Sequence, residues 1–344
     1  MIVENKSKRD DAIDVLRGLA ILCIILAHSL PPAVVAQLRN FDVVLMVFLM
    51  GVSFQLSKRP IFNYWNYIQK RFKRLVVSTW KFLTAFYFFF FLYSVVFSIP
   101  FDFLNLRVIA GSFSLLDGIG YVWIMKVFFL IALILPFISK FNDKVTPFWY
   151  FSIFSFSLIV YHLLTEFFWV TEEWSEQSVY LNAFNKFYKE FVLPTLGYGL
   201  IVYLALRFYF VKTSLLIIYT LIAGTFLVAM AISTHFQVTQ FYKYPPQVYY
   251  LSYGLFATLI LVLVLRNKNV LNLLEGRFFR FLSVYSARIY FWHIFLIYLF
   301  NTSREFDVPL AFIFRLLFLA GFALLLSYLH TQIIEKLKSL EKFG

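Results

Sequence analysis

Asp14, Arg17 and His28 are the residues of this chain whose types and spacing first suggest chemistry. They share one apolar run, Asp14-Val15-Leu16-Arg17-Gly18-Leu19-Ala20-Ile21-Leu22-Cys23-Ile24-Ile25-Leu26-Ala27-His28. Ionisable side chains inside a membrane span are costly and by default mark function. On a helix, the eleven residues from Arg17 to His28 bring the histidine back to within roughly 20° of the arginine's direction, about 16 Å farther along the axis. Both side chains are therefore expected to face one interior cavity. A neutral imidazole takes a proton from an attacking hydroxyl near neutral pH, which makes His28 the candidate general base or acid. Its bland alternative is a hydrogen-bonded polar residue at the outer end of a span. Arg17 either orients a carbonyl or phosphate, or holds the helix in place by pairing with Asp14, which offsets part of the cost of burying a guanidinium.

A second basic constellation is Lys70-Arg71-Phe72-Lys73-Arg74. Arg71 and Arg74 are three apart and share a helix face, so two guanidinium forks can grip one phosphorylated ligand. The competing reading is the excess of basic residues found on the cytoplasmic side of any span. Lys126, inside the apolar run Trp123-Ile124-Met125-Lys126-Val127-Phe128, either snorkels to the interface or binds substrate at an outward-facing cavity. Tyr290 and His293, in Tyr290-Phe291-Trp292-His293, are further substrate-binding candidates, with packing the alternative. The stretch Tyr242-Lys243-Tyr244-Pro245-Pro246, followed by Tyr249, Tyr250 and Tyr253, suggests an interfacial aromatic belt or a sugar-stacking platform. His162, His235 and His330 are weaker candidates. No pair of histidines or carboxylates has metal-ligand spacing, so no metal is expected. Neither a phosphate-cradling glycine loop nor a nucleophile-elbow serine is found.

The elements that must position these residues are membrane helices. Hydropathy is positive on average, and stretches such as Phe82 to Phe97 and Leu215 to Ile232 are apolar all round, which an amphipathic surface helix is not. The pattern of a membrane β-barrel is absent. The fold class is all-α, a polytopic integral membrane protein of about ten transmembrane helices, at 12–31, 41–57, 75–99, 119–138, 147–169, 191–211, 213–232, 248–266, 280–300 and 309–330. The net charge of +13 could suggest nucleic acid, but topology explains it more simply. Basic residues collect in alternate connections: Lys6, Lys8 and Arg9; Lys58 and Arg59 through Lys70 to Arg74; Lys140 and Lys144; Arg207 and Lys212; Arg266 to Arg280; Lys336, Lys338 and Lys342. The positive-inside rule makes that side the cytoplasm, with both termini inside. The opposite connections are nearly neutral or acidic, as at Glu172, Glu173 and Glu176. Cys23 is alone, so no disulfide framework exists within one chain. The first apolar segment lacks a small-residue cleavage site and is expected to remain as the first span. Residues 1–344 read as a single transmembrane domain.

At these residues the chain resembles the acyltransferase-3 family of integral membrane acyltransferases, in particular its branch similar to fucose 4-O-acetylases and exopolysaccharide acetyltransferases. The most specific match is arginine, ten residues, histidine in the first span, met by Arg17 and His28; the family's paired arginines are met by Arg71 and Arg74. Weaker matches are Phe48-Leu49-Met50-Gly51-Val52-Ser53, Val122-Trp123-Ile124, Lys243-Tyr244-Pro245-Pro246 and Ile289-Tyr290-Phe291-Trp292-His293. The resemblance implies a ten-helix core and transfer of an acyl group, usually acetyl from acetyl-CoA, to a hydroxyl of a cell-surface glycan or its lipid-linked precursor. It places the protein in the bacterial plasma membrane, with acyl-CoA, a saccharide acceptor and membrane lipid as partners. Some members add an extracytoplasmic catalytic domain; this chain is expected to act alone or with a separate extracytoplasmic transferase.

On that expectation, Arg71 and Arg74 receive the nucleotide phosphates of the donor and its extended arm reaches toward His28. There His28 either deprotonates the acceptor hydroxyl or takes the acyl group itself. A transporter or flippase of a glycan intermediate is the competing class, although the internal repeat common in transporters is not evident. A membrane sensing module is a third, since one fold hosts many functions.

Overall fold

The structure, a computed structural model, describes residues 10–57, 63–116, 118–174, 178–301 and 311–340. Lys6, Lys8, Arg9, Lys58, Arg59, Glu176 and Lys342 lie outside the described residues. Among the described residues there is no strand. In chain order the helices are α1 (Asp11–Ala27), α2 (Ala33–Leu38), α3 (Asp42–Ser57), α4 (Tyr64–Phe72), α5 (Ser78–Phe97), α6 (Leu106–Phe113), α7 (Trp123–Asn142), α8 (Pro147–Glu173), α9 (Val179–Phe187), α10 (Leu193–Phe208), α11 (Thr213–Ser233), α12 (Val248–Leu265), α13 (Lys268–Leu274), α14 (Arg277–Asn301) and α15 (Ala311–Leu340). Nine helical stretches among the described residues are long and apolar enough to cross a bilayer. The seventeen residues of α1 add a tenth at the short limit of a span. These ten correspond one for one to the spans expected from hydropathy, and the chain is a multi-pass membrane protein.

Two spans start about a dozen residues earlier than hydropathy suggested. The third runs from Tyr64 to Phe97 and the sixth from Val179 to Phe208. Hydropathy drops at Lys70 to Arg74 and at Lys186 to Glu190, so both stretches fall outside the expected apolar spans. The backbone continues as helix because long basic side chains can extend their charged ends away from the apolar surroundings. Each long helix contains a π-helical turn there, Lys73–Val77 in one and Tyr188–Val192 in the other. Such turns are single-turn widenings that often occur at functional positions.

By packing the chain divides into two compact units. One comprises Met1–Leu49, Val211–Thr225 and Gly254–Gly344; the other comprises Met50–Phe210 and Phe226–Tyr253. The first unit is built on α1 against α14 and α15. Asp10 caps α1, its carboxylate accepting from the backbone N–H groups of Ala12 and Ile13 at 3.0 and 3.3 Å. Gly18 lets the helices meet closely, since a Cβ there would lie 2.6 Å from Phe279 Cδ1 and 3.3 Å from Leu282 Cβ. Small residues at a membrane helix interface act in this way because dispersion contacts, not water exclusion, hold such helices together.

Three polar rungs join α1 to α14: Arg280 to Asp11 at 3.5 Å, Arg17 to Ser283 at 3.0 Å, and His28 to His293 at 3.0 Å. Residue numbers rise together along both helices, so α1 and α14 run parallel. These are the first and ninth spans of the expected topology, and a strictly alternating chain requires them to run the same way.

In the second unit α7, α8 and α10 pack together. The sixth span, α9 through α10, is mostly buried, whereas α8 is buried along little of its length. Gly51, in the weaker sequence match, has a packing explanation: a Cβ there would stand 2.9 Å from Ala205 Cβ and 3.1 Å from the Val202 carbonyl.

Candidate active site

His28 owes its position to the end of α1. It is the C-cap residue, with φ −95° and ψ 3°, and its N–H donates to the Ile25 carbonyl at 3.0 Å. Pro31 and Pro32 follow, and proline can neither donate to nor continue a helix. The imidazole therefore stands at the last turn of an apolar helix, half-buried. Its Nδ1 lies 3.0 Å from Nε2 of His293. The ring centres are 5.2 Å apart and the ring planes 24° from parallel. That spacing is the nitrogen–nitrogen distance plus one ring radius on each side, so the rings meet edge to edge within a hydrogen bond.

His293 is completely buried. Its Nδ1 hydrogen-bonds to the carbonyl of Tyr290, one turn earlier in α14. The Tyr290 ring, also buried, packs on the imidazole with centres 4.9 Å apart. Three residues marked from sequence, 265 positions apart in the chain at the histidine pair, thus form one cluster.

Arg17 faces α14 as His28 does, in agreement with the helical spacing, and its Nη1 donates to Ser283 Oγ. Ser283 is buried and was not singled out from sequence. The only signal was a hydroxyl ten residues before His293, nearly the step that separates Arg17 from His28. Asp14 is buried in the first turn of α1, where a carboxylate complements the positive end of the helix dipole. A further ion pair missed from sequence joins Arg39 to Asp42 at 3.0 Å, in the turn that opens α3.

Arg71, Arg74 and Lys126 belong to the second unit. Arg71 lies in the last turn of α4, with its guanidinium 5.1 Å from the centre of the Tyr67 ring. Arg74 lies one residue into the π-helical turn and feels the positive charge of Arg71. Among the described residues no carboxylate is paired with either guanidinium. Two neighbouring cations with no paired carboxylate among the described residues can attract an anion, and a phosphate or pyrophosphate would suit the guanidinium fork.

Lys126 does not snorkel. Its ammonium is buried and forms an ion pair with Glu190, beside the Phe191 ring at 5.1 Å. Glu190 sits in the second π-helical turn. As a lone acid just before the sixth apolar run it gave no sign of being within reach of Lys126.

The tyrosine stretch also differs from expectation. Tyr249 and Tyr250 are buried because α12 begins at Val248 and turns them inward. Tyr244 stays exposed, edge-on to Trp123 with ring centres 5.1 Å apart, and buried Lys243 lies 5.8 and 5.7 Å from the Tyr244 and Tyr250 rings. The surface platform is thus much smaller than eight residues of tyrosine-rich sequence suggest.

Among the described residues no group of three His, Cys, Asp or Glu side chains is arranged to hold a metal ion. No curated protein and no solved structure gives a match to this chain. One family model does, the acyltransferase domain of the acyltransferase-3 type, over residues 10–332.

Proposed function

Because this chain belongs to the acyltransferase-3 family, we propose that it carries an acetyl group from acetyl-CoA to a hydroxyl of a cell-surface glycan or its lipid-linked precursor, at the bacterial plasma membrane. Membrane acyltransferase activity is the property of the family as a whole. The observation that carries the reading is the hydrogen-bonded His28–His293 pair at the end of α1, in which one histidine is accessible and the other wholly buried. Such a pair is suited to moving a proton, which is what attack by a sugar hydroxyl on a thioester requires.

His28 accepts the proton of the acceptor hydroxyl, the oxygen attacks the thioester carbonyl, and the thiolate leaves. Arg71 and Arg74 bind the phosphates of the donor. Arg17, tied to Ser283, holds α1 in register with α14 and so holds His28 against His293. The basic residues in alternate connections support a cytoplasmic face carrying both termini and the donor arginines.

The test uses the full chain in proteoliposomes with radiolabelled acetyl-CoA and extracted glycan precursor. Label is expected in the glycan, and His28→Ala is expected to lower the rate at least about 100-fold, the usual worth of a general base. His28→Ala with an unchanged rate and an unchanged melting temperature would remove His28 from the mechanism. Glycan movement without label transfer would make the protein a transporter.

A further inference from the structure

We propose that His293 is a positioning residue that fixes which nitrogen of His28 bears the proton, through a one-way chain of hydrogen bonds that starts at the Tyr290 carbonyl. This rests on the reading of His28 as the base, and it adds a role for a residue that a substrate can hardly touch, since His293 is fully buried.

The direction of the chain follows from what each atom can do. A carbonyl oxygen only accepts, so the His293 Nδ1 that lies against it must carry the hydrogen. In a neutral imidazole the other nitrogen is then an acceptor, and here that is Nε2. Nε2 faces Nδ1 of His28 at 3.0 Å, so Nδ1 of His28 must be the donor. The lone pair of His28 is left on Nε2. Isolated imidazole side chains favour the opposite form, with the hydrogen on Nε2, which cannot accept a proton there. The tautomer of a histidine is set by the hydrogen bond that its other nitrogen makes, and buried His293 supplies that bond.

Protons and electrons then balance with His293 neutral throughout. The acceptor O–H gives its proton to His28 Nε2 as the oxygen's electron pair forms the bond to the thioester carbon. The imidazolium keeps both N–H groups, its Nδ1–H still donating to His293. When the C–S bond breaks, the bonding pair leaves with sulfur, and the thiolate takes the proton back from Nε2. His28 returns to its starting tautomer, ready for another turnover.

The test combines ring spectra with kinetics on the full chain in lipid nanodiscs. Nitrogen-15 spectra of histidine-labelled protein resolve the five histidines, each assigned by its own substitution to glutamine. His28 is expected to show a protonated Nδ1 and an unprotonated Nε2. In His293→Leu that pattern should give way to the Nε2–H form, with kcat falling about 100-fold and donor KM changing less than about twofold. In His293→Gln the amide oxygen stands near the former Nε2 and can still accept, so kcat should recover to within about tenfold of the wild type. A wild-type His28 protonated on Nε2 overturns the proposal, as does a glutamine variant no faster than the leucine variant. The wild-type spectrum decides the matter even if His293→Leu fails to fold. If the wild type transfers no acetyl group, the enzyme reading fails, while the spectrum still decides the tautomer.

Discussion

Lys126 and Glu190 offer the sharpest separation of structure from catalysis. The two side chains retain 6% and 27% of their exposure. Their unequal burial predicts unequal costs. Glu190→Leu strands a buried ammonium, for which breaking a buried pair costs about 3 kcal/mol, the low end of the usual range because the Phe191 ring still faces the charge. Lys126→Met leaves a carboxylate with more than a quarter of its surface available to water, so the cost falls to about 1.5 kcal/mol. The double variant Lys126→Met, Glu190→Leu replaces the pair with apolar packing and should lie within about 1.5 kcal/mol of the wild type. The coupling energy is then at least about 3 kcal/mol, read from denaturation of the four proteins in the same detergent. Costs that simply add would show that the pair is not a stabilising unit and refute the reasoning. Transfer activity measured in parallel assigns the role: if Lys126 also binds substrate, the double variant regains stability without regaining KM.

Two other perturbations test the remaining cations and the α1–α14 contact. Exchanging both Arg71 and Arg74 for lysine keeps the charge but removes the bidentate fork, and acetyl-CoA affinity should fall about tenfold or more in equilibrium binding; an unchanged affinity would reduce the pair to a topology signal. Gly18→Val places new carbons where Phe279 and Leu282 already pack, and is expected to cost about 1–3 kcal/mol and to slow transfer as His28 moves off His293; a melting temperature and rate equal to the wild type would show that the close approach at Gly18 does not set the histidine contact.

On the proposed mechanism, the cluster also accounts for why a few polar groups suffice. His28, His293, Arg17 and Ser283 are joined across two parallel helices by hydrogen bonds of 3.0 Å. In a water-poor interior such bonds hold their geometry without competition, and oriented dipoles act more strongly than in water. Asp11 and Arg280 form a looser third rung, with side chains 35% and 58% exposed, and an exposed pair of this kind adds little.

Local properties were legible in the amino-acid sequence because they depend on near neighbours. The helical period put Arg17 and His28 on one face, and both do face α14. Ten apolar runs located the nine long apolar helices and α1, and the arginine and histidine spacing pointed to the family that the match over residues 10–332 establishes. Helix ends were less legible. Hydropathy reports where lipid is, not where backbone hydrogen bonding stops, and the helices therefore continue through Lys70 to Arg74 and Lys186 to Glu190. Partners were decided by tertiary structure alone. No local pattern in the chain makes His293 the hydrogen-bond partner of His28, Ser283 that of Arg17, or Glu190 the counter-ion of Lys126. Each pairing depends on which helices pack side by side and at what axial register. Those are set by the summed packing of many side chains, among them the contact that Gly18 permits.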